Sequence, residues 1–170
     1  MNAKRLLDLC IVVPTAPAWG AAIGALALAS SVAQGGPVFF TQERVGLGGQ
    51  PFPVFKLRTM TQEPDPIDRK PTPFGRWLRD RGLDELPQLF NILRGDMSVV
   101  GPRPLLQSDL DRLSAQHPPF RERLGSKPGL TGLAQVAKAT TFRERADCDA
   151  AYAHAQGALL DLRIIGRTLW

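Results

Sequence analysis

The chain has 170 residues, 44% hydrophobic and 22% charged, with a formal net charge of +5 and a pI near 9.8. That is the size of one domain with a modest core, and its charge favours anionic partners: nucleic acid, anionic lipid or phosphorylated small molecules. Two cysteines, Cys10 and Cys148, and two isolated histidines, His117 and His154, argue against a disulfide framework and against zinc chemistry.

Residues 9–33 carry no charge. As one helix they would run roughly 37 Å, enough to cross the hydrocarbon core of a bilayer. Pro14, Pro17, Gly20 and Gly24 interrupt the run, and alanine makes it only weakly apolar. A proline inside a helix removes a backbone donor and kinks the axis, and in lipid the freed carbonyls must find other partners. Three arrangements fit these residues. A cleaved signal peptide fits the basic start and the small residues near Ala27 to Ser30, but Asp8 and the early prolines oppose it. A straight spanning helix would put the basic remainder opposite Lys4 and Arg5, against the charge rule. A kinked segment that enters and leaves by one face keeps all these cations on the cytoplasmic side.

Gly36-Pro37 ends the apolar run. Residues 38–40 read as a short extended piece, and residues 50–60 (QPFPVFKLRTM) as a second strand or hairpin arm. Four prolines in residues 61–73 mark a surface loop. Residues 74–80 predict a short helix. Asp84 opens the clearest one, with Leu86, Leu89, Phe90 and Leu93 at helical spacing and Gly95 closing it. Gly101-Pro102-Arg103-Pro104 is a stiff turn, residues 105–116 are amphipathic, Pro128-Gly129 centres a loop, and the last third is mostly helical. The fold class is α+β, mainly α.

Asp84-Glu85 reads most simply as a helix cap with an acidic first turn. Arg76, Arg79 and Arg81 stand just before the pair, so the two carboxylates lie in a basic neighbourhood. A carboxylate can attack phosphorus or help hold Mg²⁺, while cations and a helix N-terminus receive phosphate oxygens. Arg103, between two prolines, can be aimed at phosphate at low entropic cost; the plain alternative is a solvated arginine in a turn. Lys56 and Arg58 alternate with Phe55 and Leu57, which on a strand puts both cations on one face, solvated in the plain reading. The stripe of Leu106, Leu110 and Leu113 is either core packing or a membrane-surface face. No P-loop or dinucleotide fingerprint is present. A nucleic-acid module has only the pI behind it, without aromatic stacking or a groove-reading motif.

Taken in order, GPVFFTQERVG (36–46), FKLRTM (55–60), LDELPQLFNILRGDMSVVGPRP (83–104), KPGLTGLAQV (127–136) and LDLRII (160–165) resemble the blocks of the bacterial sugar transferases. These are the monotopic polyprenyl-phosphate phosphoglycosyl transferases. Lys4-Arg5 with Asp8 resembles that family's N-terminal motif. The long block carries the specificity.

The resemblance implies a re-entrant, Pro-broken membrane helix over residues 1–35 and a compact cytoplasmic catalytic domain with short strands over residues 36–170. The implied location is the cytoplasmic face of the bacterial inner membrane. It further implies transfer of a phosphosugar from a UDP-sugar to polyprenyl (undecaprenyl) phosphate, initiating glycan assembly. By the resemblance Asp84 is the nucleophile and Mg²⁺ ligand, Glu85 assists, and Lys56, Arg58, Arg79, Arg103 and Lys138 support phosphate binding. Membrane lipid is an implied partner, and a homodimer fits the same reading. Four departures stand out. The prolines come early and follow Val13 and Ala16. Ala137-Lys138-Ala139 replaces the usual Asn-Gly-Arg, Leu133 stands where tryptophan is common, and the 60–74 loop is short. The alternative is a degenerate, non-catalytic member acting as a membrane-anchored binding protein.

Overall fold

A computed structural model describes residues 2–65 and 67–168. Helix α1 (Ala3–Val12) and helix α2 (Ala16–Gln34) are separated at Val13-Pro14-Thr15. Pro14 has no N–H and cannot continue the ladder. The carbonyls at the break are met locally: the Thr15 hydroxyl donates to Ile11 O at 2.7 Å, and the Trp19 indole donates to Val12 O at 3.0 Å. Trp19 also meets Phe90 edge-on, with ring centroids 5.0 Å apart.

The two helices differ in what surrounds them. Helix α2 has 19 residues and a mean hydropathy of 1.4, spans about 28 Å, and is long and apolar enough to cross a membrane. Leu28 and Val32 on it are 70% and 83% exposed, an arrangement that lipid would favour over water. Helix α1 docks on the globular body instead. Val12 is fully buried with Phe52, Val54, Ile92 and Met97. Buried Asp8 accepts hydrogen bonds from Ser98 Oγ and Val99 N, both at 2.9 Å. Lys4 reaches Asp161 and the Tyr152 hydroxyl, each at 2.7 Å, and Val100 O at 2.8 Å. Arg5 donates to Ile92 O and Leu93 O.

Strands β1 (Phe39–Val45) and β2 (Pro51–Leu57) form an antiparallel hairpin in which Phe39 faces Leu57 and Phe40 faces Lys56. Strand β1 is longer than the extended piece expected at 38–40, because every residue to Val45 gains a partner on β2. Gly48 and Gly49 turn the hairpin at φ 64° and 81°, a conformation that favours glycine. Helix α3 (Pro73–Asp80) is capped by the Thr72 hydroxyl, which accepts from Gly75 N at 2.9 Å and donates to Gln34 on α2.

The helix expected from Asp84 divides into a single 3₁₀ turn, Leu83–Glu85, and helix α4 (Gln88–Arg94). Pro87 causes the division, since it has no N–H to return to the Leu83 carbonyl. Gly95 closes α4 in the left-handed region at φ 91°, as its position predicts.

Beyond α4, strand β3 (Ser98–Val100) pairs in parallel with β4 (Gly129–Thr131). The residues around Pro128-Gly129, expected in a loop, are recruited by strand pairing across about thirty residues of sequence. Gly101 and Gly129 cross so closely that a Cβ on either would strike the other strand's backbone. Helices α5 (Gln107–Gln116), α6 (Leu133–Val136), α7 (Phe142–Ala155) and α8 (Ala158–Thr168) complete the described chain, with a 3₁₀ segment over Pro118–Gly125. Leu110 and Leu113 pack with Val45, Phe120 and Ala146, so these two leucines of the stripe belong to the core. The result is mainly helical with short strands, as the α+β reading expects.

Replacing Asp8 with alanine would leave the Ser98 hydroxyl and the Val99 amide buried without their acceptor. The expected loss is about 2–3 kcal/mol, read as an earlier thermal unfolding transition in detergent, with no loss expected from Asp65→Ala in the exposed loop.

Candidate active site

The Asp84-Glu85 pair sits on the 3₁₀ turn behind Gly82, whose φ of 66° lets the chain reverse out of α3. Two cations from distant segments converge on one oxygen of Glu85. Lys56 Nζ, at the end of β2, donates to Oε1 at 2.8 Å, and Arg103 Nη2 donates to the same atom at 2.6 Å. Burial pushes the Glu85 carboxyl up, but the Lys56 hydrogen bond and the Arg103 charge outweigh it and hold the group below its usual value.

Asp84 has the opposite environment. It is buried, and no side chain among the described residues hydrogen-bonds its carboxylate. Burial, reinforced by the neighbouring Glu85 charge, raises its pKa above the ordinary 3.8, against the opposing pull of Lys56 and Arg79. One carboxylate of the pair is therefore clamped by cations, and its neighbour is left chemically available.

Asp84 opens into a cavity of about 380 Å³ with Lys56, Arg79, Arg44, Gln42 and Arg58 on its walls and Phe39, Phe40 and Pro37 beside them. Lys56, Arg79 and Arg103 thus gather at the carboxylate pair as the sequence leads one to expect. Arg58 lies there too, but its guanidinium donates to the carbonyls of Gln34, Gly35, Pro37 and Met60. A buried guanidinium needs such partners. They tie Arg58 to the exit of α2, so its guanidinium is occupied by backbone carbonyls at the edge of the cavity.

Lys138 is on a different wall. It adopts φ 52° and lines a second cavity of about 420 Å³ with Arg112, Arg123, Arg145, Phe120 and Phe142. Arg103 borders this cavity and also a small cleft with Glu85, Lys56 and Arg44, so it links the second cavity to the carboxylate pair. Position 138 faces a basic cavity with an aromatic floor, and Arg103 lies between that cavity and the pair.

Arg44 was not singled out by sequence. It lies on the β1 face that carries Phe40 and Gln42, opposite the β2 residues that include Lys56, and donates to Gln42 Oε1 at 2.6 Å. Burial, then repulsion from Arg103, lowers its pKa. The signal available was the alternation of Phe40, Gln42 and Arg44 along one strand face, legible only once β1 is known to reach Val45. Gln88, fully buried beside Glu85 and Arg103 on a small adjoining cleft, was also missed.

The family model for bacterial sugar transferases matches residues 1–170. A UDP-glucose:undecaprenyl-phosphate glucose-1-phosphate transferase of Caulobacter vibrioides is 40% identical over 181 residues, covering 98% of this chain and 68% of that protein. An uncharacterized sugar transferase, EpsL, of Bacillus subtilis is 42% identical over 143 residues, covering 79% of this chain and 69% of its own length. A UDP-N-acetylgalactosamine-undecaprenyl-phosphate N-acetylgalactosaminephosphotransferase of Aeromonas hydrophila is 33% identical over 179 residues, or 98% of this chain and 42% of that protein. The chain spans about two thirds of the first two relatives and less than half of the third. With a match from end to end and a carboxylate pair set among cations, the chain belongs to the bacterial sugar transferase family of enzymes.

Proposed function

We propose that this chain transfers a phosphosugar from a UDP-sugar to a polyprenyl phosphate such as undecaprenyl phosphate, through a covalent intermediate on Asp84, as the initiating step of a bacterial glycan. The observation that carries the reading is the asymmetry of the carboxylate pair: Glu85 is clamped by Lys56 and Arg103, and Asp84 faces a cationic cavity without a side-chain partner. The donor and acceptor classes are those for which the relatives are named.

In the first step an Asp84 carboxylate oxygen attacks the phosphorus that bears the sugar. The phosphoanhydride bond breaks, and UMP leaves with the bridging oxygen and its electron pair. In the second, a phosphate oxygen of the polyprenyl phosphate attacks the same phosphorus. The bond to Asp84 breaks, the carboxylate is regenerated, and the product is a sugar linked to the lipid by a diphosphate. Dividing the exchange in this way replaces one difficult displacement by two easier ones. Arg79, Arg44 and Lys56 offset charge on the phosphoryl oxygens, and Arg103 with Lys138 receives the donor's remaining phosphate from the side of the second cavity.

Among the described residues no three His, Cys, Asp or Glu side chains converge on one point, so no protein-only cage is present there. Mg²⁺ commonly uses one or two carboxylates and completes its shell with substrate phosphates and water. Asp84 fits that donor set. Bound there with the diphosphate, Mg²⁺ would supply charge neutralisation at phosphorus.

For the membrane, the proposed re-entrant segment is α1 and α2 together, broken at Pro14 and entering and leaving by the cytoplasmic face, with α2 as its apolar part. Residues 1–35 form the anchor, with α1 fastened to the catalytic unit of residues 36–170. The locally satisfied carbonyls at Pro14 support a permanent bend. The gathering of Pro37, Phe39 and Phe40 at the Asp84 cavity supports an acceptor that presents its phosphate from the lipid surface.

Asp84→Asn should abolish UMP release from UDP-sugars in membranes supplied with polyprenyl phosphate. With donor alone, the unsubstituted protein should gain the mass of one phosphosugar on the peptide containing Asp84. Turnover by the asparagine variant would remove the nucleophile assignment, and no release from any of a panel of UDP-sugars would favour a non-catalytic binding role.

The nucleophile must be ionised, and its pKa is raised, so single-turnover UMP release should be full above that raised value. It should fall as pH drops through it, at a pH above the ordinary 3.8 of aspartate. A profile flat down to that ordinary value would contradict the role of Asp84.

The topology has its own test. In a background lacking Cys10 and Cys148, cysteines placed at Asn2 and Glu63 should both react with an impermeant maleimide only after the inner membrane is opened. Labelling of either one in intact spheroplasts would instead mean a helix that spans the bilayer.

A further inference from the structure

The turn that carries Arg103 contains two residues without an N–H, Pro102 and Pro104, so it cannot be held by donors of its own at those positions. It is held through its carbonyls. Pro102 O accepts from Gly129 N at 2.9 Å and Leu105 O accepts from Val45 N at 2.9 Å. The carbonyl between them, that of Arg103 itself, accepts from the guanidinium of Arg123.

Arg123 is an unusual group to find in this place. Its side chain is 8% exposed, it lies over the Phe120 ring at 4.6 Å, and Nη1 pairs with Asp149 Oδ2 on α7 at 3.2 Å. A charge buried to this degree is costly unless it is paired and hydrogen-bonded. Asp149 supplies the pairing, and the second arm of the fork is directed onto one backbone atom of the turn. Burial lowers the Arg123 pKa and raises that of Asp149, which marks both as groups held under strain of desolvation. Replacing such a pair with apolar residues often leaves a protein as stable or more so, so global stability alone does not account for it.

We propose that Arg123 and Asp149 are positioning residues for Arg103: they fix the backbone of the 102–104 turn so that the exposed Arg103 side chain meets Glu85. The inference rests on the role given to Arg103 above. Three of the links are visible in order, Asp149 to Arg123, Arg123 to the Arg103 carbonyl, and the Arg103 guanidinium to Glu85. The side chain of Arg103 is 58% exposed and long. Its aim depends on a rigid base, because nothing else near its tip confines it among the described residues except Glu85.

Lysine at position 123 keeps the charge opposite Asp149 but has a single point of attachment, so it cannot bridge the carboxylate and the carbonyl as a planar fork does. Arg123→Lys is therefore the informative variant, with Asp149→Asn as the second should it fold poorly. Both are to be measured for UMP release by the full chain in membranes, alone and in an Arg103→Ala background, alongside thermal unfolding. The expected result is a fall in kcat of about fivefold or more in the otherwise unaltered chain, roughly the size of effect seen when catalytic geometry loosens. In the Arg103→Ala background the further loss should be under about twofold, since there is no guanidinium left to aim.

The split between kcat and KM gives a readout that simple loss of structure would not move. Loss of folded protein lowers the apparent kcat alone, whereas a poorly aimed Arg103 should also change the KM for UDP-sugar, in the direction that Arg103→Ala changes it. Equal losses in both backgrounds, or no loss in the otherwise unaltered chain, would overturn the proposal. If Arg103→Ala itself leaves turnover unchanged, the role assigned to Arg103 fails, and the proposal falls with it by a different and recognisable route.

Discussion

Two carboxylates on adjacent residues repel each other, and bringing both into a half-buried turn is unfavourable unless positive charge is delivered to them. Here Lys56 and Arg103 meet on a single oxygen of Glu85. The rest of the architecture can be understood as what is required to bring those two cations, from the end of a hairpin and from a proline-bounded turn, to one point. The hairpin places Lys56. The parallel pairing of β3 and β4, with the close crossing of Gly101 and Gly129, places the turn. The 3₁₀ geometry imposed by Pro87 keeps the carboxylates at the entrance to α4 and out of a longer helix.

The consequence is chemical. A carboxylate engaged by two cations is a poor nucleophile and a good electrostatic support, whereas one that is desolvated and has no side-chain hydrogen-bond partner among the described residues is the more reactive of the two. Adjacent residues of almost identical chemistry are given different characters by their surroundings alone. Phosphoryl transfer rests mainly on positioning and charge neutralisation, and such a division of character supports the transfer proposed for this chain.

The N-terminal helices connect this site to the apolar segment proposed to lie in lipid. Helix α1 is fastened to β3 through Asp8 and Lys4 and to the end of α4 through Arg5. Helix α2 is fastened at its far end by Arg58 and by the contact of Gln34 with Thr72. Both ends of the apolar segment are thereby joined to elements that carry site residues: β3 runs into the Arg103 turn, and Arg58 borders the Asp84 cavity.

The sequence by itself determined the features that depend on neighbours in the chain. The charge-free run and the prolines that interrupt it, the short helix ending at Asp80, the apolar spacing of α4 with Gly95 as its stop, and the carboxylate pair followed by an arginine between prolines are all set by local backbone preference and periodicity. Tertiary structure decided which partners meet. Arg58 and Lys56 look alike in sequence, two residues apart, yet one is drawn onto four backbone carbonyls and the other onto Glu85. Arg44 and Arg123 carry no local sign of their roles. The pairing of β3 with β4 involves three residues on each side, too few to leave a periodic trace. A buried cation takes its function from whichever acceptors the fold brings within reach, and those acceptors lie tens of residues away, where no local pattern records them.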